Sequence, residues 1–547
     1  MPVVTLYYDR LKKLVGKKGL KEILEMMPYV ALDIEEQSNK YVKVEYNPNR
    51  PDFSTDYGIA RALRGMFGIE TGVPKYQQSK GNVLVNVDAS VKKVRPFIVS
   101  MVALEGRLDD EGIRQIIAMQ EDIHEGIGRK RKKVSIGIHN YDVVKSPILY
   151  STENPSSKFV PLNSNKSMSM KEILENIDVG RQYAWILKGH KRFPVIKDAE
   201  GNVLSFPPII NSELTKVTES TKNLFIDITA TDLKAAEDAL AILAITLYEA
   251  KFKIQTVKVN YGGKILETPN MKETVKDLKP DYANKLLGLK LNANEIAKCL
   301  AKSRIGANMG KNSIKCRIPR YRIDIMHSID LVEELAIGYG IYNMNATYPR
   351  SSSAGARDTI MSILDKLREG LSGLGMIEVM NFSLVSKEVQ YSMMKRGMSN
   401  ILAVEQTKSI EHEVLRDSLI PSLMFTLSKN IHEPYPQRIF EVGKVFFANE
   451  NNVKEYWSVA GAIAHKDADY TEAKSYLQAL LDSLFNIKVE TRAVTNVILA
   501  DGKSAEVVFN DKNIGMIGEI KETIINNFKM RVPVSVFEIN MSYLLKI

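Results

Sequence analysis

The length of the chain, 547 residues, is the feature that most limits how it folds, because single hydrophobic cores stop growing at about 250–300 residues. Typical domain sizes predict roughly three to five domains. No apolar run approaches the roughly 18–20 residues that cross a bilayer. The N-terminus lacks the continuous apolar stretch of a secretory signal. We therefore expect a multidomain cytoplasmic protein that does not enter a membrane.

The cysteine content and the net charge further limit the class of protein. Cys299 and Cys316 are the two cysteines, too few for a disulfide framework and in keeping with a reducing compartment. The absence of a C-x2-C pair argues against a structural zinc site of the usual kind. The formal charge of +10 favours an anionic partner. An ordinary solvated surface explains that charge about equally well.

Changes in composition and in predicted secondary structure along the chain indicate four segments. They span residues 1–85, 86–265, 270–346 and 350–547. The first contains the turn-rich run Asn47–Asp52, which predicts a shaped loop leading into a helix. In the second, β-branched strand candidates precede a long helix candidate, with Thr231 as its N-cap. The third is predicted to be a compact α+β unit. The fourth combines a helix with many short strands, as in an antiparallel sheet.

An acidic quartet stands out in the third segment. Its members are Asp324, Asp330, Glu333 and Glu334. The last three lie on one side of a helical turn, where four carboxylates repel one another unless a cation lies among them. Oxygen ligands of this kind suit Mg²⁺. The alternative is a capping box, with Asp330 as the N-cap and Glu333 at the third helical position. The pattern alone favours the capping box.

A second candidate site begins at Pro207-Pro208, whose two rings stiffen the backbone. Polar residues follow an apolar pair, in the order Asn211, Ser212 and Glu213. Thr215 and the run Asp227-Ile228-Thr229 are close by in sequence. These residues predict the floor of a pocket. An ordinary surface turn explains the pattern as well.

Two further features have weaker signals. His139 lies within a strand candidate, where a lone histidine is more often structural. The basic run 129–133 either faces nucleic acid or forms a solvated loop. Motifs of other classes are absent, since the sequence has neither a Walker-type phosphate loop nor a nucleophile elbow.

Several segments, in order along nearly the whole chain, resemble the phenylalanine–tRNA ligase β-subunit family of the archaeal and eukaryotic type. They are NPNRPDF from Asn47, GIARALRG from Gly58, RKKVSIGIHNYD from Arg131, PPIINSE from Pro207, the acidic quartet with its D-x5-D-x2-E-E spacing, and FEVGKVF from Phe440. The resemblance implies an α+β multidomain protein. Its parts would be an N-terminal α/β domain, a tRNA editing domain, a small metal-binding domain and a class II synthetase-like antiparallel sheet domain without active-site motifs.

The resemblance also implies roles for both candidate sites. The acidic quartet would bind Mg²⁺ at the contact with an α subunit. The pocket would hydrolyse tyrosine wrongly attached to tRNA(Phe), with Glu213 accepting the tyrosine hydroxyl and Asn211, Ser212 and Thr229 orienting the ester and water. A buried acceptor of this kind penalises phenylalanine, which leaves the acceptor unpaired. Ala230 replaces a glycine of the family's pattern, and its methyl group predicts altered local geometry.

The implied function is that of a ligase subunit. The α subunit would form phenylalanyl-adenylate from ATP and transfer phenylalanine to tRNA(Phe). This chain would supply structure, tRNA contacts and proofreading in an (αβ)2 heterotetramer. Two alternatives stay open at this point, a free-standing tRNA deacylase and a non-enzymatic tRNA-binding scaffold.

Overall fold

The computed structural model describes residues 2–349, 353–407, 409–449 and 452–544. The chain divides into two units, Met1–Thr347 and Tyr348–Ile547. Within the described residues, no helix combines the length and the apolar character that crossing a bilayer requires.

The N-terminal part of the first unit is a small three-stranded antiparallel sheet with helices. Its elements are β1 (Val3–Tyr7), α1 (Tyr8–Val15), α2 (Leu20–Met26), β2 (Leu32–Gln37), β3 (Tyr41–Tyr46) and α3 (Asp56–Met66). The strand order is β1-β3-β2, and Val42, Val44 and Tyr46 of β3 alternate into the core as a half-buried strand requires. The predicted loop leads into α3, whose N-cap is Thr55.

A ten-stranded mixed sheet forms the middle of the first unit. Its elements are β4 (Gln78–Val87), β5 (Phe97–Leu104), α4 (Asp110–Glu125), β6 (Val134–Asn140), β7 (Ile148–Glu153), β8 (Lys158–Phe159), β9 (Met168–Ser169), α5 (Met170–Asn176), α6 (Asp178–Tyr183), β10 (Phe193–Lys197), β11 (Val203–Phe206), β12 (Ile210–Asn211), β13 (Leu224–Ala230), α7 (Leu233–Glu249), β14 (Lys253–Tyr261) and β15 (Lys264–Thr268). The order is β12-β11-β10-β7-β4-β14-β5-β13-β6, with β15 beside β14, while β8 and β9 pair separately. β4 pairs in parallel with β7 and β14. The segment boundary predicted at residue 85 falls inside β4.

α7 packs against one face of this sheet. Ala239, Leu240 and Leu243 are fully buried in a core shared with β5, β6 and β13. The predicted helix is confirmed, but its predicted N-cap is wrong. The side chain of Asp232, not Thr231, accepts the hydrogen bond from Ala235 N, because the helix begins one residue later than a cap at Thr231 requires.

The third part of the first unit is an α+β module, as predicted. It contains β16 (Thr274–Leu278), α8 (Pro280–Leu287), α9 (Ala293–Lys302), β17 (Gly306–Met309), β18 (Ile314–Ile318) and α10 (Ser328–Tyr339), with strand order β16-β18-β17. α10 starts at Ser328, so Asp330 is the third residue of the helix and not its N-cap. Gly340 ends the helix with a φ of 92°, a backbone conformation that favours glycine.

The second unit is built on a seven-stranded sheet. Its elements are α11 (Thr359–Gly373), β19 (Ile377–Glu378), β20 (Leu384–Val385), β21 (Val414–Leu415), α12 (Ile420–Lys429), β22 (Gln437–Asn449), β23 (Asn452–Ala464), α13 (Tyr470–Phe485), β24 (Glu490–Ala493), β25 (Leu499–Phe509), β26 (Lys512–Ile520), α14 (Glu522–Asn527) and β27 (Val534–Asn540). The order is β19-β22-β23-β27-β26-β25-β24. The predicted antiparallel sheet is confirmed, except that the short β19 runs parallel to β22.

Candidate functional site

A cavity of about 980 Å³ opens beside β6, the edge strand of the ten-stranded sheet. Its volume is that of cavities which enclose small organic ligands. Apolar side chains of α4, β6 and the segment 207–217 form most of its walls. The polar side chains that line it are Gln120, Glu121, Arg131, Ser135, Asn163, Ser164, Asn176, Asp178, Ser205, Asn211, Ser212, Thr215 and Lys216.

Side chains satisfy backbone carbonyls on the exposed edge of β6. Gln120 Nε2 donates to Ile136 O at 2.8 Å, and Asn211 Nδ2 donates to Ile138 O at 3.3 Å. An unpaired strand edge would otherwise need water or another strand. These bonds therefore hold α4 and the segment around Asn211 on either side of the cavity.

A buried hydrogen-bond chain runs from the cavity into the sheet. Thr215, which lines the cavity, has its Oγ1 2.7 Å from His139 Nδ1. His139 Nε2 is 2.7 Å from Asp227 Oδ1, and the imidazole is 0% exposed. With Asp227 accepting from Nε2–H, Nδ1 is left to accept the threonine hydroxyl proton. The arrangement can polarise that hydroxyl and fix its direction.

The alternation of side chains along β13 explains this chain of hydrogen bonds. Leu224, Ile226 and Ile228 point toward α7, so Asp227 and Thr229 lie on the opposite face. Gly137 is opposite Asp227 on β6. A Cβ at Gly137 would lie 2.4 Å from Asp227 Oδ1, so this position must stay free of a side chain for the histidine and carboxylate to meet.

The structure separates the four residues predicted for this site. Asn211 and Ser212 line the cavity. Glu213 lies beside it, where its carboxylate accepts from Asn163 N at 2.6 Å and from Lys216 Nζ at 3.1 Å. The bond from Asn163 N, followed by that from Lys216, lowers the pKa of Glu213. Glu213 is therefore a bound surface carboxylate and does not line the cavity.

Thr229, the fourth predicted residue, lies inside the sheet. Arg95 donates to Thr229 Oγ1 at 2.9 Å and to Thr229 O at 2.7 Å. Burial lowers the pKa of the Arg95 guanidinium to about 10. Thr229 is thus a support for the strand that carries Asp227.

The basic run 129–133 divides between structural and exposed residues. Arg131 donates to Ile209 O at 3.0 Å and to Glu121 at 2.7 Å, and lies 4.5 Å from the centre of the Tyr183 ring. Lys133 pairs with Asp232 at 3.2 Å. The remaining three residues of the run are exposed.

Sequence reasoning did not assign Thr215, His139 and Asp227 to one chain of hydrogen bonds. The period of two along β13 places Asp227 and Thr229 on one face of the sheet. His139 reaches that face because β6 pairs with β13, and this pairing of distant segments cannot be predicted from the local sequence.

Two carboxylates of the acidic quartet, those of Asp324 and Glu334, bind an arginine. Arg322 donates from Nε to Asp324 Oδ1 at 2.9 Å and from Nη2 to Asp324 Oδ2 at 2.7 Å. The same guanidinium also binds Glu334, and all three side chains are at most 10% exposed. The positive charge that the quartet requires is therefore supplied in part by the protein itself.

The other two carboxylates of the quartet, those of Asp330 and Glu333, have different surroundings. Asp330 Oδ2 accepts from Met326 N at 2.7 Å and from His327 N at 2.6 Å, so it caps α10 from inside the helix. Burial raises the pKa of Glu333, and the charges of Glu334, Asp330 and Asp324 raise it further. Among the residues that the structure describes, no group of three or more His, Cys, Asp or Glu side chains is arranged to hold a metal ion. The quartet as arranged does not form a preorganised metal site.

Comparisons with known proteins agree across the chain. Family models match at residues 87–245 (B3/4 domain), 276–341 (tRNA synthetase B5 domain) and 344–541 (phenylalanyl tRNA synthetase beta chain CLM domain). The phenylalanine–tRNA ligase β subunit of Archaeoglobus fulgidus is 39% identical over 99% of this chain and 98% of that protein. The β subunit of Methanocaldococcus jannaschii is 38% identical over 99% of this chain and 100% of that protein.

A solved structure supports the same relation for the first unit. An N-terminal fragment of the phenylalanyl-tRNA synthetase β subunit from Pyrococcus horikoshii is 37% identical, with a TM-score of 0.60, and the match covers 62% of this chain and 99% of the fragment. The family resemblance predicted from the sequence is thereby confirmed. The chain belongs to the β-subunit family of the phenylalanine–tRNA ligases.

Proposed function

We propose that this chain pairs with a ligase α subunit, which carries the amino-acid activation site, and that the complex charges tRNA(Phe). The observation that carries this proposal is the full-length match to ligase β subunits. Co-expression with the matching α subunit, followed by size measurement and an aminoacylation assay, tests it. We expect an (αβ)2 complex that charges tRNA(Phe), and a chain that stays alone and inactive in the presence of α contradicts the proposal.

Buried polar groups of the second unit support an activation site outside this chain. Glu441 and Glu538 both lie opposite Ala460, one on each neighbouring strand of the sheet. Arg416 binds Glu441 at 2.5 Å, and Ser458 donates to Glu538 at 2.9 Å. Because Arg416 is already bound to Glu441 within the unit, its guanidinium is poorly placed to clamp the phosphates of ATP.

Exposed apolar side chains of the second unit support subunit association. Met380 is 93% exposed and Phe382 is 76% exposed, while Phe382 packs edge-on against His412. Ile410, two residues before His412, is also exposed. Grouped apolar exposure of this kind is typical of protein contact surfaces. We assign this surface, defined by Met380, Phe382 and Ile410, to the contact with α.

For the cavity we propose the hydrolysis of tyrosine from mischarged tRNA(Phe). Water adds to the ester carbonyl carbon, the bond to the ribose oxygen breaks, and tyrosine and a free ribose hydroxyl are released. Apolar walls suit an aromatic side chain. The chain Thr215–His139–Asp227 orients the reacting water through the threonine hydroxyl, and Asn211 and Ser212 bind the aminoacyl group.

Removal of a single hydroxyl tests the editing proposal. Thr215→Val in the αβ complex is expected to slow Tyr-tRNA(Phe) hydrolysis by about 10²-fold, the lower range for lost acid–base assistance, while phenylalanine charging is unchanged. Thr246→Val is the matched control, since Thr246 is also fully buried and donates to Ile242 O at 2.9 Å. Equal hydrolysis by both variants contradicts the assignment.

The same assay separates the alternatives. Hydrolysis by the chain without α indicates a free-standing deacylase. Binding of tRNA without hydrolysis, by the chain and by the complex, indicates a scaffold. Glu213→Ala tests the role implied by the family resemblance. Loss of an acceptor of the tyrosine hydroxyl slows tyrosine release, whereas loss of the surface carboxylate seen beside the cavity does not.

For the acidic quartet we keep magnesium binding as a proposal. Glu333 makes no ion pair among the described residues. Partial burial, followed by the charges of Glu334, Asp330 and Asp324, raises its pKa. Asp324, Asp330 and Glu334 would complete an oxygen-rich ligand set once Arg322 turns aside. The ion would supply positive charge between the quartet and α.

A further inference from the structure

A second groove, which the proposed function does not use, lies between α1, α3, the end of α7 and the turn that joins α9 to β17. Its volume is about 720 Å³. Six basic and two acidic side chains line it, and we call it the basic groove. The charged residues are Arg10, Lys13, Arg64, Glu70, Lys75, Glu249, Lys251 and Arg304.

The floor of the basic groove holds an arginine with unsatisfied donors. The Arg304 side chain is 7% exposed, and its Nε and Nη1 make no hydrogen bond within the protein. Burial lowers the pKa of this guanidinium, and the charges of Arg61 and Arg64 lower it further. A buried, incompletely bonded cation costs free energy unless an anion approaches it.

Arg304 is held in this position by backbone geometry. A Cβ at Gly65 would lie 2.9 Å from Arg304 Cδ and 2.2 Å from Lys302 O. Only a glycine in α3 therefore lets the arginine and its loop pack this closely.

A single carboxylate now lies between the two arginines of the floor. Glu70 Oε2 is 3.3 Å from both Arg64 Nε and Arg304 Nη2. These distances are long for charge-assisted hydrogen bonds, and the Glu70 side chain is 50% exposed. Glu70 thus occupies, loosely, the position that a phosphate oxygen would take between two guanidinium groups.

The rim of the groove adds free positive charge. Lys13, Lys75 and Lys251 are exposed and form no ion pair with the residues that the structure describes. Exposed lysines beside a partly unsatisfied arginine pair are suited to a polyanion with several phosphates, more than to one carboxylate.

We propose that the basic groove binds phosphates of the RNA backbone, with Arg64 and Arg304 receiving one phosphate and the three lysines its neighbours. The inference rests on the proposed function, in which tRNA is the substrate. The groove would position the RNA without reading its bases.

The test compares two triple variants of the αβ complex with equal loss of charge. The groove variant is Lys13→Gln/Lys75→Gln/Lys251→Gln. The control is Lys264→Gln/Lys290→Gln/Lys311→Gln, three exposed lysines outside the groove. We expect the groove variant to bind tRNA(Phe) about 10-fold more weakly than the control. The steepness of the plot of log K against log salt should fall by about two, because each lost phosphate contact contributes about 0.7–0.9.

Glu70→Gln is expected to change the affinity for tRNA(Phe) in the opposite direction. Because this change removes the carboxylate between Arg64 and Arg304, tRNA(Phe) affinity should rise about 2–5-fold, the order expected for one charge near the surface. Unchanged or weaker binding by this variant contradicts the proposal.

Other outcomes are also decisive. Equal RNA binding by both triple variants overturns the groove assignment and leaves the proposed function standing. Weaker assembly with α in the groove variant, with RNA affinity unchanged, assigns the groove to a protein partner. Stabilisation by inorganic phosphate that the groove variant loses, without an effect on RNA binding, restricts the site to small phosphates. Absence of RNA binding by the unmodified complex defeats the proposed function and this inference together.

Discussion

At the scale of residues, the loop between β3 and α3 shows how a turn-rich sequence becomes a buried ion network. Asp52 is 1% exposed, and binds Arg50 at 2.9 Å and Arg61 at 3.3 Å. Arg61 also binds Glu249 of α7 at 2.7 Å. The resemblance to the family began at this loop, and its physical role is to join the N-terminal sheet to the middle sheet.

Asp52→Asn is expected to lower the free energy of unfolding by about 3–5 kcal/mol, because it leaves buried arginines without their partner. Burial alone would raise the pKa of Asp52, but Arg50, Arg61 and Arg322 lower it to about 2. The contribution of Asp52 is therefore complete above its unfolded pKa and is lost as pH falls from about 4 to 2. Chemical unfolding at several pH values measures it. Asp33→Asn, at an exposed position, is the control, and equal effects contradict the argument.

Glu333 gives a test of magnesium binding at the same scale. Its pKa is raised, so its charge destabilises the fold above that pKa, and Glu333→Gln should raise Tm slightly at neutral pH without metal. Added Mg²⁺ should raise the Tm of the unmodified αβ complex and have less effect on the variant.

The control for this test is Glu219→Gln, a change at an exposed carboxylate outside the quartet. It should keep the full response to Mg²⁺. If Mg²⁺ stabilises Glu333→Gln as strongly as the unmodified complex, or stabilises neither, the quartet acts only through Arg322 and the cap of α10.

At the scale of elements, most helices and strands could be predicted from local patterns, whereas their ends and pairings could not. The apolar run that became α7 and the β-branched runs that became β5 and β6 were recognised. The ends of helices depend on a few side-chain to backbone bonds, which neighbouring polar residues compete to make. This competition misplaced the caps of α7 and α10.

The N-cap of α7 is open to a direct comparison. Asp232 accepts from Ala235 N at 2.9 Å, and Asp232→Ala should cost about 1 kcal/mol in the free energy of unfolding. Thr231→Ala should change it by less than about 0.5 kcal/mol, as for other surface positions. Thermal or chemical unfolding of the two variants measures the difference, and a larger loss from Thr231→Ala would restore the cap predicted from the sequence.

At the scale of the whole molecule, the apolar surface of the second unit is expected to determine subunit assembly. Met380→Ser/Phe382→Ser should weaken association with α at least about 10-fold, a modest effect for central apolar contacts. Val453→Ser/Val497→Ser, at positions that are 53% and 62% exposed, is the matched control. Size measurement at decreasing concentration detects the difference, and equal assembly by both variants places the contact elsewhere.

The candidate cavity shows which site residues could be predicted from the sequence and which could not. Asn211 and Ser212 were predicted from the polar run after two prolines, and the structure places both in the cavity wall. Glu213, their neighbour, lies outside the wall, because a 3-10 turn at Glu213–Thr215 directs it to the backbone of Asn163. That turn instead brings Thr215 to His139.

The sequence by itself determined the family, the mixed α/β multidomain character, and most of the helices and strands, because these follow from patterns within a few residues of one another. Only the tertiary structure decided that Arg322 neutralises two carboxylates of the quartet, that His139 joins Thr215 to Asp227, and that Arg304 lies beneath the basic groove. Each of these contacts joins distant parts of the chain or depends on side-chain direction, and burial decides its strength.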